Sequence, residues 1–272
     1  MPELPEVETI KKGLEKEIIG KIIENISVLD NKDSIDSNLD QQKNTVIKSL
    51  DRRAKYLIIN LSNENSLVIH LRMTGQLIYS DYSENKQKSS ATRVLFNFRD
   101  YSHMLFNDWR KFGVIKVVRT KLLKEYFKEK GLGPEPLDEK FKFQNFATII
   151  NKKRRSKIKN VLLDQKVIAG LGNIYAQEAC FLSNLHPERK IESLTLSETK
   201  KLFESIKSIL NDAIKFNGTS FDSAYVTSNG DVGNFFNFLK VYKKSNCKSC
   251  NSKIEKIKMN SRGTYFCPKC QN

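Results

Sequence analysis

The chain has 272 residues and carries 47 Lys and Arg against 31 Asp and Glu, a formal net charge of +16. That length fits about two domains, and 39% hydrophobic with 10% aromatic residues supplies a packed core rather than a disordered chain. No apolar run reaches the ~18–20 residues that cross a bilayer, and the acidic, proline-bearing start is unlike a signal or transit peptide, which excludes a membrane protein and a secreted disulfide scaffold and leaves a polyanion, nucleic acid first, as the expected partner.

In chain order, residues 3–19 read as a helix: Pro5 suits the first turn, Glu3, Glu6 and Glu8 face the positive dipole end, and Gly20 stops it. Val7, Ile10, Leu14 and Ile18 keep the spacing of one buried face. Residues 21–119 read as strands at 21–29, 45–50, 55–61, 66–79, 93–99, 103–107 and 114–119, an antiparallel sandwich or barrel, with a polar mobile loop at 80–90. A short helix at 122–130 ends in the linker Gly131-Leu-Gly-Pro-Glu-Pro136. Helices follow at 143–151, 157–164, 173–183 and 197–216, the last with Ser197 as its expected N-cap. A glycine-bearing stretch, 217–234, reads as a flexible loop.

Four of the five cysteines lie in the last 26 residues, as Cys247-x2-Cys250 and Cys267-x2-Cys270. Without an export signal, this spacing predicts one structural Zn²⁺ held by four thiolates, with no open position for catalysis. Cys180 stands apart within an expected helix. Lys152-Lys-Arg-Arg-Ser-Lys-Ile-Lys159 is a dense cationic run, which composition alone would also allow as a solvated face. It precedes Gly170-Leu-Gly172-Asn173, a turn that aims backbone N–H groups and a helix start at one point, an expected phosphate site.

Loss of Met1 would leave Pro2 with a free secondary amine. A terminal amine titrates near 7.7–8.0, against ~10.4 for Lys, so much more of it is unprotonated at neutral pH. Such an amine can attack a sugar C1′ to give an iminium, and Glu3 beside it suits proton transfer. Met1-Pro-Glu-Leu-Pro-Glu-Val-Glu-Thr9 resembles the N-terminal signature of the formamidopyrimidine-DNA glycosylases, bacterial repair enzymes for oxidised purines. Other blocks match in order: Arg53-Ala-Lys55-Tyr-Leu, His70-Leu-Arg-Met73-Thr-Gly75, Asp108-Trp-Arg110-Lys-Phe112-Gly113, the 131–136 linker, Gly170-Leu-Gly-Asn173-Ile-Tyr-Ala and the terminal cysteines.

The resemblance implies an α+β chain. Residues 1–130 would form an N-terminal helix and β-sandwich lobe, residues 131–234 a helical lobe with a helix–two-turns–helix at about 157–183, and residues 235–272 a zinc-finger hairpin. Double-stranded DNA with oxidised bases or abasic sites would be bound between the lobes, and the damaged nucleotide extruded. It further implies Pro2 as Schiff-base nucleophile, Glu3 as acid–base partner, Lys55 as an aid to β-elimination and Arg262 as a phosphate contact aiding δ-elimination. Met73, Arg110 and Phe112 would fill the gap left by the extruded base, and Arg154, Lys159 and Asn173 would contact DNA. Ala91-Thr-Arg93 departs from a His-x-His pair frequent in the family, and Arg93 is the expected substitute phosphate contact. Trp109 stands where proline is common, and Lys111 where arginine is common. Two rivals are an endonuclease VIII-type glycosylase for oxidised pyrimidines, against which Leu4 and the Arg-x-Phe-Gly block speak, and a non-catalytic zinc-finger DNA-binding protein, against which Pro2 and Glu3 speak. The chain is expected to act as a monomer in the bacterial cytoplasm.

Overall fold

The computed structural model describes residues 1–30, 33–82, 88–221 and 224–272. They form two compact units, Met1–Lys130 with Ile214–Phe236, and Gly131–Ala213 with Asn237–Asn272. The chain returns to the first unit over 214–236, and the cysteine-bearing end belongs to the helical unit.

In the first unit, α1 (Leu4–Ile18) precedes eight strands: β1 (Ile22–Val28), β2 (Thr45–Arg53), β3 (Tyr56–Leu61), β4 (Asn65–His70), β5 (Gly75–Ser80), β6 (Thr92–Phe98), β7 (His103–Asp108) and β8 (Val114–Arg119). They run β5-β7-β6-β1-β2-β3-β4-β8, each antiparallel to its neighbours. The β1–β2 joint consists of the pairs Ile22–Val46 and Ile23–Thr45, so the sheet folds at a narrow seam. Inward side chains of both halves, among them Phe96 and Phe106 on one and Ile59 and Leu67 on the other, share a core with Val7, Ile10, Leu14 and Ile18 of α1. This is sandwich packing with a helix added, and α1 buries the stripe its periodicity predicts.

The run at 66–79, expected to be one strand, is two. Gly75 N–H donates to the Leu71 carbonyl at 2.9 Å, and Arg72 takes a φ of 56°, so the chain reverses at 71–74. A turn built from Leu, Arg, Met and Thr has none of the usual turn residues to announce it. Part of the loop expected at 80–90 lies outside the described residues. The short α2 (Leu123–Glu129) ends this part of the unit.

The second unit contains α3 (Phe143–Asn151), α4 (Ile158–Leu163), α5 (Asn173–Leu182), α6 (Leu196–Lys215), which runs on into the first unit, and the hairpin β9 (Glu255–Met259) with β10 (Arg262–Phe266). The true cap of α6 is Thr195 rather than Ser197. Thr195 Oγ1 accepts the Glu198 N–H, and Glu198 Oε2 accepts the Thr195 N–H, a reciprocal capping box. Gln165 shapes the two turns between α4 and α5: its Oε1 accepts the Gly170 N–H at 3.0 Å, and its Nε2 donates to the carbonyls of Leu163 and Leu171 at 3.1 and 2.7 Å. Among the described residues, no helix is long and apolar enough to cross a membrane.

Glu178 on α5 is fully buried, and its carboxylate accepts the N–H groups of Lys240, Val241 and Tyr242 at 2.7, 3.0 and 2.8 Å. Burial pushes its pKa up, against the three N–H donors. Glu178→Ala should therefore leave these donors unsatisfied and destabilise the unit by about 3 kcal/mol or more, measured as a drop in unfolding midpoint; an unchanged midpoint would show that the bonds contribute nothing.

Candidate functional site

In the first unit the site begins at the head of α1. Pro2 is buried, Glu3 is 2% exposed, and Met1 lies outermost at 40%. Glu6 holds this end in place. Its Oε2 accepts the Glu3 N–H and its Oε1 accepts the Thr219 N–H, both at 2.8 Å. A glutamate three residues past an N-cap is a readable capping signal, but its second bond, to a residue 213 positions on, is not readable from sequence. Gly218, at a φ of 75°, is required here, since a Cβ on it would lie 2.9 Å from Glu6 Oε1. The stretch expected to be a flexible loop is therefore tied down where it is described: Phe235 N–H donates to the Gly218 carbonyl, Gly233 N–H to Ser220 Oγ, and Tyr225 Oη–H to the Asn217 carbonyl. Burial and then the Glu6 charge push the Tyr225 phenol upward, so it stays a donor.

The β2–β3 hairpin turns at Ala54-Lys55, with Ala54 at a φ of 54°. Arg52 fixes it to α1, pairing through Nε with Glu8 Oε2 at 2.7 Å while Nη1 donates to the Ala54 carbonyl at 3.0 Å. Burial would raise the Glu8 carboxyl, but Arg52 and Lys11 outweigh it and hold its pKa below the ordinary value. Lys55 is buried at this turn, and its charge reaches His70. His70, at the end of β4, is also buried. Burial first, then the charges of Arg72 and Lys55, push its pKa down to about 3, and the neutral ring accepts the Arg72 N–H on Nδ1 at 3.0 Å.

Two turns meet on Asp108. Asp108 Oδ1 accepts Thr74 Oγ1–H at 2.5 Å and the Arg110 N–H at 3.3 Å, while Oδ2 accepts the Gly113 N–H at 2.6 Å. A Cβ on Gly113 would lie 2.6 Å from Phe106 Cζ and 3.0 Å from that Oδ2, so only glycine fits. Thr74 also accepts the Arg110 N–H, at 3.2 Å. The turn bearing Met73 is thereby joined to the turn bearing Arg110 and Phe112. Met73 is 41% and Phe112 55% exposed, and the Arg110 guanidinium lies 5.1 Å from the Phe112 ring centre. Residues so exposed are not core.

Arg93 corrects an expectation. It is 1% exposed, with Nε on Asp30 at 3.1 Å, Nη1 on the Gly113 carbonyl at 2.9 Å and Nη2 on Ser34 Oγ at 2.9 Å. Its charge is spent inside the sandwich, supporting the 109–113 turn, and does not face outward to a phosphate.

In the second unit, polar side chains converge on β10. Lys159, expected to contact DNA, is instead fully buried, its Nζ donating to Thr264 Oγ1 at 2.5 Å. Asn173 is the first residue of α5, and Gly172 is its N-cap. Its Nδ2 donates to the Gly263 carbonyl at 3.2 Å, and its Oδ1 has no partner among the described residues. Gln177, with no sequence signal, accepts the Tyr265 N–H at 2.5 Å and donates to the Asn173 carbonyl at 2.6 Å. Together they seat the strand whose first residue, Arg262, stays exposed. Arg154 is also exposed, with Nε 3.5 Å from Glu192. Cys180 is buried, its thiol pushed up to about 12 by burial against the opposing charge of Lys159, which makes it an inert core residue.

The ligand atoms of Cys247, Cys250, Cys267 and Cys270 all lie within 4.8 Å of one another, with sulfur pairs at 3.8 and 3.4 Å. A tetrahedron with Zn–S bonds of about 2.3 Å has edges of about 3.8 Å, so the four sulfurs fit one zinc ion.

Comparison with known proteins agrees along the whole chain. Residues 1–115 match the formamidopyrimidine-DNA glycosylase N-terminal domain, 132–224 the formamidopyrimidine-DNA glycosylase H2TH domain, and 245–272 the zinc finger found in FPG and IleRS. The formamidopyrimidine-DNA glycosylase of Listeria monocytogenes is 40% identical with all of both chains covered, and that of Ligilactobacillus salivarius 39% identical with 100% of this chain and 99% of the relative covered. Wild-type Lactococcus lactis Fpg, solved with DNA containing N7-benzyl-Fapy-dG, superposes with a TM-score of 0.91 at 36% identity over 99% of each chain. The same protein with DNA containing an abasic site gives 0.90 at 35% over 99% of each chain.

Two outcomes follow. The unfolded chain protonates His70 below pH 6.5, whereas the folded one resists until about pH 3. Stability is thus lost as pH falls through this window, by up to about 1.4 kcal/mol per unit. Denaturant midpoints at pH 7 and 5 should show His70→Asn losing about 2 kcal/mol less than the parent, and equal losses would refute the assignment. Elemental analysis should find one zinc per chain; Cys247→Ser should lose it and open residues 240–272 to proteolysis, and a protected metal-free finger would contradict this.

Proposed function

The chain belongs to the formamidopyrimidine-DNA glycosylase family, and on that premise we propose that its chemistry runs through Pro2. The protein is a DNA-repair glycosylase for oxidised purines that also cleaves abasic sites. While Met1 is attached, the Pro2 nitrogen is an amide and not nucleophilic; after its removal the nitrogen is a secondary amine. Its lone pair bonds C1′ of the extruded nucleotide, and the base leaves with the glycosidic electron pair and a proton. Opening of the sugar ring then gives an iminium, which draws electrons from the C2′–H bond so that the 3′ phosphate departs, and then from the C4′–H bond so that the 5′ phosphate departs. Glu3 delivers and collects the protons.

The buried Pro2–Glu3 pair at the head of α1, pinned through Glu6, is the observation that carries this reading. Lys55 assists elimination, from a hairpin that Arg52 ties to the same helix. Met73, Arg110 and Phe112 occupy the gap left by the base, their joined and exposed turns suiting an apolar wedge and a base-reading guanidinium. Exposed Arg262 and Arg154 meet phosphates, while Lys159 and Asn173 act by holding β10. One zinc ion keeps that hairpin folded. Bacterial relatives and the want of a spanning helix among the described residues support a cytoplasmic location.

Borohydride should trap a covalent adduct between the Met1-processed protein and an 8-oxoguanine:cytosine duplex, mapping to Pro2, with weaker trapping on thymine glycol. Pro2→Gly should abolish the adduct, and Glu3→Gln should slow base release by roughly 10²–10⁴-fold. An adduct retained by Pro2→Gly would end the proline mechanism.

A further inference from the structure

The turn that carries Arg110 and Phe112 also carries Trp109, the chain's single tryptophan. Tryptophan is highly buried on average, yet this indole is 66% exposed. It does not sit on a loose tip, because Asp108 immediately before it accepts the N–H groups of Arg110 and Gly113 and the hydroxyl of Thr74. Its setting is apolar and cationic together: Met73 and Phe112 are exposed on the two joined turns, and so are Arg72, Arg110 and Lys111. The one acid of the turn, Asp108, is fully buried. An aromatic face set among cations complements a nucleic-acid strand, whose bases stack and whose phosphates are negative.

We propose that Trp109 is a further DNA-contacting residue, its indole packing on the nucleotide next to the orphan base in the undamaged strand. The proposal rests on the glycosylase reading above and on Arg110 facing the orphan base. Consecutive Cα atoms lie about 3.8 Å apart, close to the ~3.4 Å spacing of nucleotides along a strand, so the residue beside the orphan-base reader reaches the neighbouring step. That contact favours the duplex whose base has been extruded over the intact one.

The single tryptophan makes the test direct. The unmodified protein is titrated with a duplex containing a stable abasic-site analogue, while binding is followed independently by the anisotropy of labelled DNA. Trp109 emission should be quenched in step with binding, and its accessibility to acrylamide should fall. Trp109→Ala should raise Kd for this duplex about fivefold or more, with a smaller change for undamaged DNA. If the duplex binds and borohydride still traps an abasic duplex, but emission and acrylamide access do not change, the Trp109 contact is wrong and the glycosylase reading stands. If neither binding nor trapping is seen, the glycosylase reading fails and the proposal fails with it.

Discussion

The N-terminal end of the first unit depends on one buried carboxylate. Glu6 is 1% exposed, and an ionised group taken from water is costly unless its oxygens are filled. Here the Glu3 and Thr219 N–H groups fill them, so the first residues of the chain and a segment more than two hundred positions later are fixed by a common acceptor. Asp108 does the same for the turns at 71–74 and 109–113, and Glu178 for the segment entering the finger. Each acid satisfies backbone or hydroxyl donors that no regular ladder reaches.

This use of acids explains how a chain of net charge +16 can present cations outward without a core made only of hydrocarbon. Not every cation takes part in that surface. Arg93 and Lys159 are buried among polar partners and hold elements in place, whereas Arg110, Arg154 and Arg262 remain exposed. A count of basic residues therefore overstates the number that can meet a polyanion, and burial separates the two groups.

The boundary between what sequence revealed and what it hid follows sequence distance. The buried stripe of α1, most strand runs and the paired cysteines depend on neighbours a few positions away, and they were legible. Arg93 reads as a surface cation from sequence because its partners Asp30 and Ser34 lie 63 and 59 positions away, and Lys159 does so because Thr264 lies 105 away. The division of the run at 66–79 was hidden because the 71–74 turn is closed by one backbone bond and the Thr74–Asp108 contact rather than by turn-forming residues. The stretch 217–234 is rich in residues that favour loops, but its composition does not disclose the Glu6 carboxylate that receives it.

Chain ends ordinarily fray, and a nucleophile on a fraying end loses the advantage of a fixed attack geometry, which can amount to several kcal/mol of barrier. Placing Pro2, the proposed nucleophile, one residue before a capped helix, with Glu6 closing the cap from inside, removes that freedom before substrate arrives. The same logic governs the other terminus, where Arg262 opens a short strand that could not hold itself on a hairpin so small. Four sulfurs at one end of that hairpin, and Lys159, Asn173 and Gln177 along it, supply the rigidity that its length does not. Both termini, the least ordered parts of most chains, are thus made firm enough for the chemistry and recognition proposed for them.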